Sequence, residues 1–283
     1  MVLPISTDAR APSPGSLPAV ISGSNWRYRV PVRVAGPLVW STATGRRRSF
    51  AVDARRAVRG SPYLVLGAEH IPARGACLVL CNHYTRPGLG AWWIALSVTG
   101  VVAAHRASDA PAEMPWVMTA GWRFPKGDWR HRVITPLTRW AFARVALTYG
   151  FVTMPPMPPD PNEVGERTLA VLHTVRLAQR LATEGGLLGL VPEGRDTGRL
   201  LGEPPEGVGD FVALLVATGM PVLPVGISEE ERRLRLSFGA LFVPAIPPRH
   251  AGRDRAVIDQ VMAAIAAQLP GNNTEPGSCY YNG

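Results

Sequence analysis

Residues 76–88, "ACLVLCNHYTRPG", decide how the chain is read. Ala76 to Cys81 form an apolar run too short for a helix and without polar alternation, which reads as a strand buried on both faces. Such strands belong to parallel sheets covered by helices. Asn82 and His83 follow at once, so the run delivers a histidine to the end of a buried strand, a natural mouth for an active site. Beyond it come Tyr84, Thr85, Arg86, Pro87 and Gly88, with no acid among them to orient an imidazole.

Working outward, the same pattern recurs. Apolar runs predict strands at Tyr63–Leu66, Gly100–Ala104, Trp116–Ala120, Gly150–Met154, Leu187–Val191, Val222–Ile227 and Leu234–Phe238. Helical stretches intervene. In one, Val164, Thr168, Val171, Val175, Ala178 and Ala182 make a stripe at three- and four-residue spacing, with His173, Arg176, Arg180 and Glu184 on a wet face and Gly185–Gly186 as a stop. A last helix runs from Arg253 to Leu269. Strands alternating with helices predict an α/β fold with a mixed, mostly parallel sheet flanked by helices. The domain is expected over 61–270, after a Pro/Arg-rich N-terminal segment over 1–60 and before a polar tail over 271–283.

The N-terminal segment is ambiguous. "WRYRVPVRV" (26–34) alternates apolar and arginine residues, which fits an edge strand or a cationic, aromatic segment lying on an anionic membrane. "GRRRSFAVDARRAVRG" (45–60) fits a solvated basic segment as well as it fits a membrane contact. The 283-residue chain carries a formal charge of +9, and Lys126 is its only lysine. That balance suits an anionic partner: a phospholipid surface, a phosphorylated substrate, coenzyme A or nucleic acid. Three cysteines without metal-type spacing, and no basic start leading into a continuous apolar run, predict a reducing, cytoplasmic setting with no signal peptide. The uncharged stretches Pro87–His105 and Phe211–Ser228 are broken by glycines or prolines and read as buried helix-then-strand units rather than membrane spans.

Serine-hydrolase elbows, P-loops, zinc motifs and dinucleotide fingerprints are absent from the sequence. No nucleic-acid module is present either, so nucleic acid is not expected as a partner. Three segments remain: "LCNHYTRPG" (80–88), "LLGLVPEGRDTG" (187–198) and "GMPVLPVGI" (219–227).

In this order they resemble the glycerolipid acyltransferase family, the lysophosphatidic-acid-acyltransferase-like enzymes, whose motifs run N-H-x4-D, a phosphate-site arginine, F-P-E-G-T-R and V-P-I-x-P-V. The lead-in "LGAEHIPARGACLVLCNH" (66–83) resembles the family's approach to its histidine. The resemblance implies transfer of a fatty acyl group from acyl-CoA or acyl carrier protein to a lysophospholipid or glycerolipid-like hydroxyl, with no metal and no other cofactor. It implies His83 as general base, Glu193 and Gly194 holding the acceptor, Arg167 as the phosphate-site arginine and Pro224 as a packing position. It further implies a cytoplasmic protein peripheral to the inner face of an anionic membrane.

Two departures stand out. Gly88 occupies the aspartate position, so Asp109, Glu113, Asp128 or a backbone carbonyl would have to orient His83. "PEGRD" shifts the arginine of the third motif by one residue, leaving Arg195, Arg199 or Arg86 to supply a guanidinium. Left alone, Glu193 reads as a turn carboxylate pairing with Arg195. The competing reading of the whole chain is a catalytically inactive lipid-binding or accessory protein of the same fold.

Overall fold

A computed structural model describes residues 32–59, 61, 63–86, 88–157, 160–194, 200–231, 233–248 and 252–271. The elements are α1 (Val32–Thr44), α2 (Phe50–Val58), β1 (Tyr63–Leu66), β2 (Cys77–Cys81), α3 (Trp92–His105), β3 (Val117–Thr119), α4 (Trp129–Tyr149), β4 (Val152–Met154), α5 (Val164–Glu184), β5 (Leu187–Leu190), α6 (Val208–Val216), β6 (Val222–Glu230), β7 (Arg233–Phe238) and α7 (Arg253–Ala266).

The central sheet runs β1-β7-β6-β2-β5. Every pairing in it is parallel except β6 with β7. β3 and β4 pair in parallel as a short second ribbon, which a parallel bridge between Trp116 and Gly189 joins to β5. The predicted mixed, mostly parallel sheet flanked by helices is therefore present.

β2 shows why its sequence lacks alternation. Cys77, Val79 and Cys81 face a core shared with α2, α3, β6 and β7. Leu78 and Leu80 face the opposite core, built with α5, α6 and α7. Both faces are covered, so both must be apolar. Burial pushes the Cys77 thiol up to about 12 and the Cys81 thiol well above its ordinary range, so both behave as small core residues.

One close approach fixes the junction with the second ribbon. The Trp116 indole lies on the backbone of Gly189, where an added Cβ would come within 2.5 Å of the ring. Its Nε1 donates to Thr99 Oγ1 on α3 at 2.9 Å. The glycine in the middle of an otherwise leucine-rich strand is thus a seat for a tryptophan.

Three sequence expectations are corrected. The strand expected at Gly100–Ala104 is the second half of α3. That helix is buried nearly all round, and a uniformly apolar run carries no period to separate helix from strand. No strand follows the helix within Pro87–His105, whereas Phe211–Ser228 does contain the expected end of a helix and a strand. The alternating segment is helical where it is described, from Val32 onward in α1, and Trp26–Pro31 lie outside the described residues. On α5 the buried stripe is Thr174, Leu177, Ala178 and Leu181, while Val164 is exposed. The wet face is as expected.

α2 shows what the arginine-rich segment does. Phe50, Ala54, Ala57 and Val58 enter the core, and Ser49 caps the helix by accepting from the Val52 N–H. Arg48 makes a two-point ion pair with the buried Asp53, which also accepts from the Tyr149 hydroxyl. Arg46, Arg47, Arg55, Arg56 and Arg59 are exposed. Among the described residues no helix is long and apolar enough to cross a membrane.

Candidate active site

β2 and β5 are parallel neighbours in register, Leu80 beside Leu190, so both release their chains at the same edge of the sheet. From β2 come Asn82 and His83; from β5 come Glu193 and Gly194. The His83 backbone N–H donates to Glu193 Oε1 at 3.0 Å, joining residues 110 apart in sequence. Glu193 is fully buried; the Arg195 of the turn-pair reading lies outside the described residues. Its charge is felt nearby: after burial itself, the Glu193 carboxylate is the second cause holding the Cys81 thiol protonated.

Asn82 continues the β2–β6 ladder with a side chain in place of a peptide. Its Oδ1 accepts from the Ile227 N–H at 2.7 Å, and its Nδ2 donates to the Ile227 carbonyl at 2.9 Å and to the Leu200 carbonyl at 2.7 Å. A buried amide can satisfy itself in this way without cost to the core. The same contacts pin the chain returning from the Glu193 loop.

The far side of the histidine loop is held by Glu229, at the end of β6. Arg86 donates to both of its carboxylate oxygens, through Nε and Nη2, and Tyr84 Oη donates to Oε2 at 3.2 Å. The Arg86–Glu229 pair is about nine-tenths withdrawn from solvent. Sequence reasoning missed Glu229 as a site residue because it stands in the acidic run Glu229–Glu231, which has the look of an exposed strand end.

Gly88 takes φ +87°, in a turn closed by mutual backbone hydrogen bonds between Arg86 and Leu89 at 2.9 and 3.2 Å. Left-handed backbone of this kind favours glycine, and "Pro-Gly" suits such a turn. The carboxylates considered as substitutes are engaged elsewhere. Asp109 pairs with Arg74, Asp128 caps α4, and Glu113 accepts from Ser49 and from the first amides of α2.

Arg167, on the first turns of α5, donates to the carbonyls of Pro155 and Pro156 and approaches Met157 Sδ at 3.5 Å. Met157 in turn lies beside Gly194, 3.5 Å from where a Cβ there would sit. The arginine is therefore one side chain removed from the Glu193–Gly194 loop. Arg195 and Arg199 lie outside the described residues. Among the described residues no three His, Cys, Asp or Glu side chains gather as a metal-binding group.

No protein-family model and no curated protein matches the chain. Among solved structures it is similar to the 1-acyl-sn-glycerophosphate (LPA) acyltransferase PlsC from Thermotoga maritima, at 14% identity and a TM-score of 0.44, over 83% of this chain and 89% of that one.

Proposed function

We propose that the chain is an acyltransferase that moves a fatty acyl group from a thioester, acyl-CoA or acyl carrier protein, to the hydroxyl of a lysophospholipid or another glycerolipid-type acceptor. The observation that carries the reading is the contact between the His83 N–H and Glu193. It brings the first and third motifs of the sequence resemblance together at one sheet edge.

In this reading the His83 imidazole takes the proton of the acceptor hydroxyl as its oxygen attacks the thioester carbonyl carbon. The tetrahedral intermediate collapses by breaking the C–S bond, and the departing thiolate recovers the proton from the imidazolium. Imidazole suits both transfers because it changes charge near neutral pH. Glu193 and Gly194 shape the acceptor side, and Arg167 supplies positive charge for a phosphate. Arg86 and Arg195 are further cations of the same binding region, with Arg86 partly neutralised by Glu229. No metal or other cofactor enters these steps.

The acceptor is a lipid, so the enzyme works in phospholipid biosynthesis, as a cytoplasmic protein peripheral to the inner face of the membrane. The domain over 61–270 carries the chemistry, and the exposed arginines before it add attraction to anionic lipid.

The test is release of free thiol from acyl-CoA and from acyl carrier protein thioesters, with a panel of lysolipid acceptors. The comparison is between the full chain and His83→Ala, with circular dichroism to confirm folding. Acceptor-dependent release that His83→Ala abolishes is expected. Equal turnover in a folded His83→Ala protein overturns the role of the histidine. No turnover with any pair, from a chain that still binds lysolipid, leaves the accessory lipid-binding reading in its place.

A further inference from the structure

α4 presents an apolar face to solvent. Trp129, Val133, Leu137, Trp140 and Leu147 are each between 56% and 66% exposed. At ~100° per residue they fall within about 80° of one another, so they form one stripe along the helix. Soluble proteins seldom leave so long a line of large apolar side chains uncovered.

The charges beside the stripe indicate what covers it. The 21 residues of α4 include no aspartate or glutamate. Arg130, paired with Asp128, flanks the stripe on one side; Arg132 and Arg139, the latter paired with Glu163, flank it on the other, and all three arginines are exposed. α1, which also has no acidic residue, packs beside α4, with Arg144 Nη2 donating to the Ala43 carbonyl at 2.6 Å. It adds exposed Val39 and Trp40 to the surface. An apolar, tryptophan-bearing strip edged by arginines complements the boundary between headgroups and acyl chains of an anionic bilayer. A protein partner would need a long acidic-rimmed apolar groove to match it.

A cleft opens on another side of α4. Exposed Trp122, edge-on to Phe142 of α4, lines a cleft of ≈ 660 Å³ that includes Phe124, Pro156 and Met157. Met157 also lies beside Gly194, 3.5 Å from where a Cβ there would sit.

We propose that the exposed face of α4, extended by α1, is a membrane-docking surface whose tryptophan and leucine side chains enter the interfacial layer of an anionic bilayer. The inference shares with the functional reading only the membrane as partner, and it is tested without turnover. The full chain is sedimented with phosphatidylcholine vesicles, with and without phosphatidylglycerol, beside Val133→Ser/Leu137→Ser/Trp140→Ser and Arg130→Gln/Arg132→Gln. All these positions are exposed, and circular dichroism confirms that the variants fold.

The native chain is expected to bind phosphatidylglycerol vesicles. The serine variant should lose at least tenfold in partition at every salt concentration, and the arginine variant should lose affinity chiefly at low salt. An environment-sensitive fluorophore on Val133→Cys, in a Cys279→Ser background, should shift to the blue on vesicles, whereas one on Arg176→Cys of α5 should not. Undiminished binding by the serine variant, no vesicle binding by the native chain, or a native dimer that the serine variant dissociates would each overturn the proposal.

Discussion

Gly88 is the position where a side chain should be most informative. Its φ of +87° places it in the left-handed region, inside a turn that Arg86 and Leu89 close on both sides. An L-residue held there costs roughly 1–2 kcal/mol, with aspartate at the lower end because its short polar side chain can bond locally. In a domain of this size 1 kcal/mol moves the melting temperature by roughly 2–4 °C. Gly88→Ala is therefore expected to lower Tm by about 2–8 °C, Gly88→Asp by less, and Gly88→Val by the most, because a β-branched side chain tolerates positive φ worst. Arg86 both closes the turn and grips Glu229, so strain at residue 88 passes to the loop carrying His83. If the proposed acyl transfer holds, an aspartate at residue 88, as in the motif the sequence resembles, should accordingly leave it unchanged or lower it. Thermal unfolding by circular dichroism and thiol release from acyl-CoA read the two effects separately. An unchanged Tm in Gly88→Ala would refute the conformational argument. A large gain in turnover in Gly88→Asp would refute the conclusion that this site is built around its absence.

Three further outcomes follow from the packing. Asn82→Ala leaves the buried Ile227 N–H and carbonyl without their partner, and at about 1–3 kcal/mol per buried unsatisfied group it should cost about 2 kcal/mol or more in urea unfolding. Gly189→Ala drives a methyl into the Trp116 ring and should cost ~1–3 kcal/mol, visible as an earlier thermal transition and a changed near-ultraviolet spectrum. Cys77 keeps its proton in the folded chain up to about 12, against an ordinary 9.0. The stability this brings is full below the unfolded value and is lost as pH rises from 9 toward 12, so denaturant midpoints should fall across that window and fall less in Cys77→Ala.

The sheet was legible because a strand covered on both faces must be apolar throughout, and β2, β5 and β6 satisfy that demand in short runs bounded by breakers. The same uniformity hid α3, whose second half is as apolar as any strand. α1 misled for another reason: Val32, Arg33 and Val34 alternate, yet they open a helix whose Val34 is buried in the core with Phe50. At the site, motif order pointed to His83 and Glu193, and their contact depends on β2 and β5 being neighbours in register, which no local pattern encodes. Glu229 was invisible for the same cause. Its role comes from the β2–β6 pairing that sets the end of β6 beside the loop at 84–86.

How the histidine loop is held bears on what it can do. Asn82 ties the start of the loop to Ile227, Glu193 holds the His83 amide, and Glu229 collects Tyr84 and Arg86. Each of these contacts constrains backbone or a neighbouring side chain, so together they fix where the imidazole starts from. An aspartate five residues beyond a histidine does a different job: it grips the ring and selects its tautomer. In the proposed reaction, holding the loop in this way would contribute to the part of a barrier that near-attack geometry removes. It also makes Glu193 and Glu229 interdependent with their partners. Removing Arg86 would take the ion-pair partner from a largely buried carboxylate, a far larger loss than the pair itself contributes. Asn82, Glu193 just beyond β5 and Glu229 on β6 thus hold the loop without any side chain at residue 88.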